Sequence, residues 1–541
     1  MLVVAAAAVA TPAAGSAQVV GPAGRVAPTY QPGVDVQHYE FALTLPDTGS
    51  RIAGVATIRL HRTGSVDTLR LDLLALDVSG VTVNGATVRA RRDPARIHVP
   101  LPAGRDDSLT VAVSYAGAPT DGLVISRDPV GRWQAFGDNF PDRGRHWLPL
   151  VDHPSDKATV RWVIDAPSAR RVVANGVLEE ETPLAASTGR TRTVWSTARP
   201  LPTYLMVIAA APMAYVDLGA TACGLAESPG CVPQAVYLSP EVRDFAPGPF
   251  ARAGDMVAHF SRLVAPYPYE KLAHLQTTTR FGGMENASAI FYSDRAFRER
   301  TLGIGLVAHE TAHQWFGNAV TEREWGHLWL SEGFATYFAQ LWTEHDVGDS
   351  AFRAGMEGIR RQVVAAPVVA ERPVLDTAQT EYLKLLNANS YQKGGFTLHM
   401  LRAVVGDSAF FRGVRRYYDA HAHGTALTAD LRAAVEAEHG QPLDWFFDQW
   451  LRRPGFAEAT VTWRHDGGQL TLDVRQEGRF GAYRFPLDLD LVAADGSVRR
   501  VRVEVPAEAR ATVVVPGEVT ARPARLVADP EVRVLGVIEV R

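Results

Sequence analysis

Cysteine is nearly missing from this chain: Cys223 and Cys231 are the two in 541 residues. So few thiols exclude a small disulfide-built scaffold, and no second Cys/His cluster stands beside them to form a zinc knuckle. Long basic runs are missing as well, and the net charge is -4. Nucleic acid is therefore excluded as a partner. Beyond the first ten residues no apolar stretch reaches the roughly 20 residues that span a bilayer. Hydrophobic residues make up 46% of the chain and charged residues 21%, which is the balance of a globular protein. A chain of this length exceeds one ordinary core and implies two to four domains.

Met1 to Ala10 is almost wholly apolar, and Gly15-Ser16-Ala17 supplies the small residues of a cleavage site. Residues 1–25 read as a secretory signal peptide or a disordered leader, so export to a periplasmic or extracellular space is expected. In an exported chain the two cysteines would close the Gly-containing loop between them with a disulfide. Residues 26–212 alternate apolar and polar in short runs, as in Gly54-Val55-Ala56-Thr57-Ile58-Arg59-Leu60, and predict a β-rich domain. From about residue 249 the period becomes helical and stays so to about 452. Gly348-Asp349-Ser350 and Gly406-Asp407-Ser408 each open a helix, with Asp and Ser as expected caps. Residues 456–541 return to strands: Leu487-Asp488-Leu489-Asp490-Leu491 alternates strictly, and about 85 residues of this kind predict a small β-sandwich.

The chemistry concentrates between residues 282 and 394. His309 and His313 are four apart, which places both imidazoles on one helix face, one turn apart. Two neutral imidazoles so placed can share one zinc ion, and Glu310 beside them can take a proton from a metal-activated water. A catalytic zinc needs a third protein ligand, and Glu332 is the candidate on a second helix packed antiparallel. A solvated helix face is the competing reading. The apolar surroundings Ile304, Leu306, Val307, Trp315 and Phe316 argue against it, because burying these groups without a partner is costly.

His309-Glu310-Thr311-Ala312-His313-Gln314-Trp315-Phe316-Gly317-Asn318, followed by Trp329-Leu330-Ser331-Glu332-Gly333-Phe334-Ala335, resembles the M1 family of zinc aminopeptidases. Gly282-Gly283-Met284-Glu285-Asn286 resembles that family's G-x-M-E-N signature, and Tyr391-Gln392-Lys393-Gly394 its catalytic tyrosine segment. The resemblance implies a multidomain α+β protein. It would have an N-terminal saddle-like β domain, a thermolysin-like, mostly helical catalytic domain over 213–455, and the C-terminal β-sandwich. It implies one Zn2+ per chain on His309, His313 and Glu332, with Glu310 and Tyr391 as catalytic residues. Gly282, Gly283, Met284, Glu285 and Asn286 would bind a peptide substrate by its free N-terminus. One segment departs from the family: Gly137-Asp138-Asn139-Phe140 stands where most members carry a Gln or Glu that helps hold the substrate's amine. Asp138 and Asn139 are the possible substitutes. His146 and His153 nearby read as structural.

The reaction so implied is removal of the first residue of a peptide. A zinc endopeptidase, an epoxide-hydrolysing relative and a non-catalytic peptide-binding scaffold are the alternatives. Oligomeric state is not legible from the sequence.

Overall fold

The computed structural model describes residues 18–20, 26–28, 30–223 and 231–541. Apart from Gln18–Val20, the leader read over residues 1–25 lies outside the described residues. The architecture runs from an N-terminal β-rich domain through a mostly helical middle domain to a C-terminal β-rich region.

The N-terminal domain is built on a nine-stranded sheet in which Val34–Thr44, Ile52–Arg62, Asp107–Gly117 and Lys157–Pro167 are the long members. Alternate residues of Lys157–Pro167 point into the core, as the period of two requires. A four-stranded sheet that includes Trp133–Gly137 and Ile208–Ala211 carries the chain toward the middle domain.

The middle domain opens with a five-stranded sheet. Val232–Leu238, Leu272–Thr277 and Ala289–Ser293 run parallel, and the two-residue strand Gly283–Met284 pairs antiparallel with the last of these. Gly283–Met284 is the edge strand, so one side of its backbone is free to pair with an extended peptide. Helices follow: Ile304–Ala312, Trp329–Asp346, Asp349–Ala365, Gly394–Val405 and further helices to Leu451. They pack on large aromatics. Phe316 stacks on Phe334 at 4.2 Å, while Trp315, Trp329 and Trp342 are fully buried. Among the described residues no helix is long and apolar enough to cross a membrane.

The C-terminal region holds a four-stranded and a three-stranded sheet. Asp488 in Phe485–Val492 is enclosed despite its charge. It is buried beneath Arg502, whose Nε and Nη2 donate to it at 2.7 and 2.9 Å, and Arg533, whose Nη1 donates at 3.1 Å. The expected Asp and Ser caps are corrected. Gly348 and Gly406 occupy the N-cap positions at φ +109° and +82°, and neither helix has a side-chain cap bond. Asp349 and Asp407 instead begin the first turn, where the helix dipole favours a negative charge.

Candidate active site

Ile304–Ala312 is a short apolar helix, and His313 continues it in helical conformation at φ -55°. The turn beyond tightens, and Gly317 takes φ +110°, which ends it. A β-carbon at Gly317 would crowd Ser331 Oγ and stand 3.1 Å from His313 Nδ1, so glycine is needed there twice over. Trp329–Asp346 packs against Ile304–Ala312 and presents Glu332 in its first turn.

The three expected ligands converge. His309 Nε2 and His313 Nε2 are 3.1 Å apart, and each lies 3.3 Å from Glu332 Oε2. Ligand atoms around a tetrahedral zinc with bonds of 2.0–2.1 Å are separated by about 3.3 Å, so the triangle is the right size. Its chemistry also calls for a cation. Glu332 Oε2 is buried and accepts no hydrogen bond from the protein. Burial lowers the His313 pKa, but Glu285 and Glu332 more than offset it and raise the imidazole to about 10. Burial raises the Glu332 carboxyl, yet His313 and His309 draw it down to about 2. His313 Nδ1 meets the Phe316 carbonyl at 3.1 Å and Ser331 Oγ at 3.1 Å. Donation from Nδ1 to that carbonyl leaves the Nε2 lone pair facing the triangle, the usual support of a metal-bound histidine. His309, His313 and Glu332 therefore fit a zinc ion.

Glu310 and Glu285 face the same position. One ligand-type atom from each of Glu285, Glu310 and His313 lies within 4.8 Å of the others. Glu310 is 4% exposed, and its Oε2 has no hydrogen-bond partner within the protein. Burial, with Glu285 and Glu332 adding to it against His313, pushes its carboxyl well above the usual range. Burial likewise moves the Glu285 carboxyl up to about 7, His313 opposing and Glu332 reinforcing the shift.

Tyr391 arrives from a different part of the chain. It lies in a single wide π turn, Asn389–Lys393, a feature that recurs at functional sites. The next helix, Gly394–Val405, crosses the Glu332 helix at bare backbone. A β-carbon on Gly333 would stand 2.9 Å from the Gly394 carbonyl carbon, and one on Gly394 3.1 Å from Gly333 Cα. That glycine contact carries the Tyr391 ring to 6.0 Å from the His309 ring, nearly parallel to it. Burial raises the phenol's pKa well above 10, and Glu332 adds to the effect. Tyr391 therefore stays a hydrogen-bond donor.

These groups open on a cleft of about 530 Å³. Gly282, Gly283, Met284 and Glu285 line it with His309, Glu310, His313, Glu332 and Tyr391. Asn286 does not line it, contrary to the sequence reading. Its side chain is wholly buried behind the strand, and its carbonyl accepts from Ala289 N in the turn toward Ala289–Ser293. Neither Asp138 nor Asn139 lines the cleft. Asn139 Nδ2 donates to the Met206 carbonyl at 2.7 Å, and its Oδ1 accepts from Trp147 Nε1 at 2.8 Å. Asp138 pairs with Arg143 at 2.6 Å and sits 3.7 Å from Arg280. Phe140 is the residue of the β domain on the cleft wall, edge-on to Phe281 and Trp325.

His146 Nδ1 bonds Thr120 Oγ1 at 2.8 Å, and His153 stacks on Tyr30 at 4.8 Å. Lys157 supports the site from outside the helical domain. Its buried Nζ crosses from the β domain to donate to the carbonyls of Asn318, Ala319 and Gly424 at 2.9–3.0 Å.

Residues 255–450 match the peptidase family M1 domain, and residues 35–205 match the peptidase M1 N-terminal domain. The chain is 29% identical to aminopeptidase M1 of Arabidopsis thaliana over 354 residues, 62% of this chain and 38% of that protein. It is 28% identical to human glutamyl aminopeptidase over 347 residues, 60% of this chain and 34% of that one. The chain thus spans well under half the length of these curated relatives. The crystal structure of an M1 zinc metallopeptidase from Deinococcus radiodurans superposes with a TM-score of 0.69 at 26% identity, covering 79% of this chain and 95% of that one. A mutant of that protein bound to a Tyr-Ser-Ala substrate superposes with a TM-score of 0.67 at 26% identity, covering 78% and 95%. The two domain matches together span more than half of the chain, in the order the family requires, and the chain belongs to peptidase family M1.

Proposed function

We propose that this chain is a zinc-dependent aminopeptidase that hydrolyses the first peptide bond of peptides with a free N-terminus. One observation carries the reading: the His309–His313–Glu332 triangle, 3.1–3.3 Å on a side, shares a cleft with two further buried carboxylates, Glu310 and Glu285. A non-catalytic scaffold has no use for the second pair, and a buried carboxylate without a partner is costly to keep.

His309, His313 and Glu332 would hold the zinc. When bound, it supplies Lewis acidity toward a water and the scissile carbonyl, lowering the water's pKa to about 7. Glu310 accepts the proton of the attacking water and returns it to the leaving nitrogen. The free edge of Gly283–Met284 pairs with the extended substrate backbone. Glu285 accepts hydrogen bonds from the substrate's ammonium group. With that end of the peptide gripped, the first carbonyl is the one that reaches Glu310. Tyr391 donates a hydrogen bond to the oxygen on which negative charge develops. The Deinococcus radiodurans relative bound to Tyr-Ser-Ala supports a short peptide as substrate.

Export is part of the proposal. The Cys223–Cys231 disulfide is of a kind that persists in oxidising compartments, and it agrees with the apolar leader.

The test is metal analysis of the purified chain together with turnover of aminoacyl anilides, with and without a chelator. One zinc per chain and chelator-sensitive release of the aniline are expected. An N-acetylated peptide should resist cleavage while its free-amine counterpart is cut. Equal rates on the two peptides would replace the aminopeptidase with an endopeptidase.

A further inference from the structure

Two side chains just beyond the second histidine hold Glu285 by its backbone. Gln314 Nε2 donates to the Glu285 carbonyl at 2.9 Å, and Asn318 Nδ2 donates to the same oxygen at 2.7 Å. Both amides are fully buried. Two donors saturate a carbonyl oxygen, so this atom is fixed from two directions. Gln314 Oε1 in turn accepts from Ser288 N at 2.9 Å and from the Tyr267 hydroxyl at 3.3 Å. Gln314 therefore grips both ends of the Glu285–Ser288 turn.

Asn318 is itself anchored to the proposed zinc centre and to the β domain. Its N–H donates to the His313 carbonyl at 3.1 Å, and its carbonyl accepts from Lys157 Nζ at 2.9 Å. A path of two hydrogen bonds, both made by Asn318, thus joins a ligand histidine to the residue that faces the substrate's amine. The strand it controls has little else to hold it. Gly283–Met284 pairs only with Phe291 and Tyr292, lies at a sheet edge and begins with the second of two consecutive glycines.

We propose that Gln314 and Asn318 are positioning residues that set the separation between the Glu285 carboxylate and the His309–His313–Glu332 centre, and so confine hydrolysis to the first peptide bond. The assignment rests on the aminopeptidase reading above. Successive α-carbons of a peptide are 3.8 Å apart, so an anchor that drifts by a fraction of that distance no longer aligns the first carbonyl with Glu310. Misplacement of a reacting group by about 1 Å costs on the order of 10²-fold in rate. Two amides on one carbonyl supply the stiffness that a glycine-rich edge strand lacks.

The experiment compares the zinc-loaded full chain with Asn318→Asp, Gln314→Glu and the milder Asn318→Ser. The first two nearly keep shape but turn a donor into an acceptor aimed at a carbonyl. Calorimetry, run with Glu310→Gln added to every chain so that the amide is not hydrolysed, reads two probes: L-leucinamide, which offers an amine, and acetohydroxamate, which offers a metal chelator and no amine. In each variant leucinamide should bind at least about tenfold more weakly. Acetohydroxamate affinity and zinc content should stay within about twofold of wild type. KM for a leucyl anilide should rise more than kcat falls, with Asn318→Ser intermediate. Leucinamide affinity unchanged in Asn318→Ser and in either carboxylate variant overturns the proposal. So does a parallel loss of acetohydroxamate affinity or zinc, which would make the two amides props of the metal site. If the wild-type chain fails to hydrolyse aminoacyl anilides, the aminopeptidase reading falls first. If it turns over and the variants keep leucinamide affinity, only this assignment falls.

Discussion

Gly283 and Glu310 are pressed together. A β-carbon on Gly283 would overlap the carboxylate of Glu310, meeting Oε1, Cδ and Cγ at once. The edge strand that would pair with substrate and the carboxylate that would act as base thus share one van der Waals surface. Glycine at 283 serves this close approach and not an unusual backbone angle, since its φ is not positive. Gly283→Ala should push the Glu310 carboxylate out of line. We predict a fall in kcat of about 10²-fold or more, because a misplaced general base loses most of its contribution. Zinc content should remain near one per chain. Steady-state kinetics with metal analysis decides it, and a kcat within a few-fold of wild type would show that the carboxylate has another working position.

Tyr391 reaches the site through the Gly333–Gly394 helix contact, and its phenol stays protonated. Tyr391→Phe removes the donor and leaves the ring stacked beside His309. A fall in kcat of about 10²–10³-fold is expected if the hydroxyl stabilises developing charge on oxygen. KM should change little. Near-wild-type turnover would take Tyr391 out of the mechanism.

The cleft wall bears on which N-terminal residues are accepted. Glu285, Glu310 and Glu332 line it, whereas no lysine or arginine is among its lining residues. Its apolar wall comes from Phe140, Phe281, Met284, Leu306 and Leu386. Arg280, next to Phe281, is engaged with Asp121 and Asp138. An acidic side chain entering here would lose water and meet carboxylates with no lysine or arginine to pair with, which is a heavy cost. The kcat/KM for a glutamyl anilide should therefore fall at least about tenfold below that for a leucyl anilide. Comparable values would mean that a cation outside the present wall reaches the substrate.

The parts of the site legible in the sequence are those whose meaning lies within one short segment. His309, Glu310 and His313 declare themselves by helical spacing. Glu332 and Glu285 emerge once their local motifs are recognised. What escaped depends on contacts between distant segments. Asn286 belongs to the same pentapeptide as Glu285, yet the turn into Ala289–Ser293 carries it behind the strand. Phe140 lines the cleft, while its neighbours Asp138 and Asn139 are engaged with Arg143, Met206 and Trp147. The Gly333–Gly394 crossing joins residues about 60 apart, and no periodicity announces it. The fold shows the same division. Strand alternation and helical runs outlined the β-rich, helical and β-rich order. The burial of Asp488 depends instead on Arg502 and Arg533, which cover it.

His274 gives the fold a dependence on pH that is separate from the zinc centre. It is wholly buried in Leu272–Thr277, packed on Phe250 at 4.6 Å and near Tyr292 at 5.8 Å. Its Nδ1 lies 3.1 Å from the Tyr292 hydroxyl, and its Nε2 has no hydrogen-bond partner within the protein. Burial lowers its pKa to about 3, against an ordinary value of 6.5. Between those values the unfolded chain binds a proton that the folded chain does not, so stability increases with pH across the window. The contribution is complete above about pH 6.5 and is lost progressively as the pH falls toward 3. His274→Phe keeps an aromatic ring in the pocket and removes the titrating group. The Tyr292 hydroxyl loses its partner, so the variant should be less stable at pH 8 by about 1–3 kcal/mol. The drop in urea midpoint between pH 8 and pH 4.5 should nevertheless be smaller in the variant than in the wild type. An equal drop in both would mean that other buried groups, His399 among them, carry the acid sensitivity.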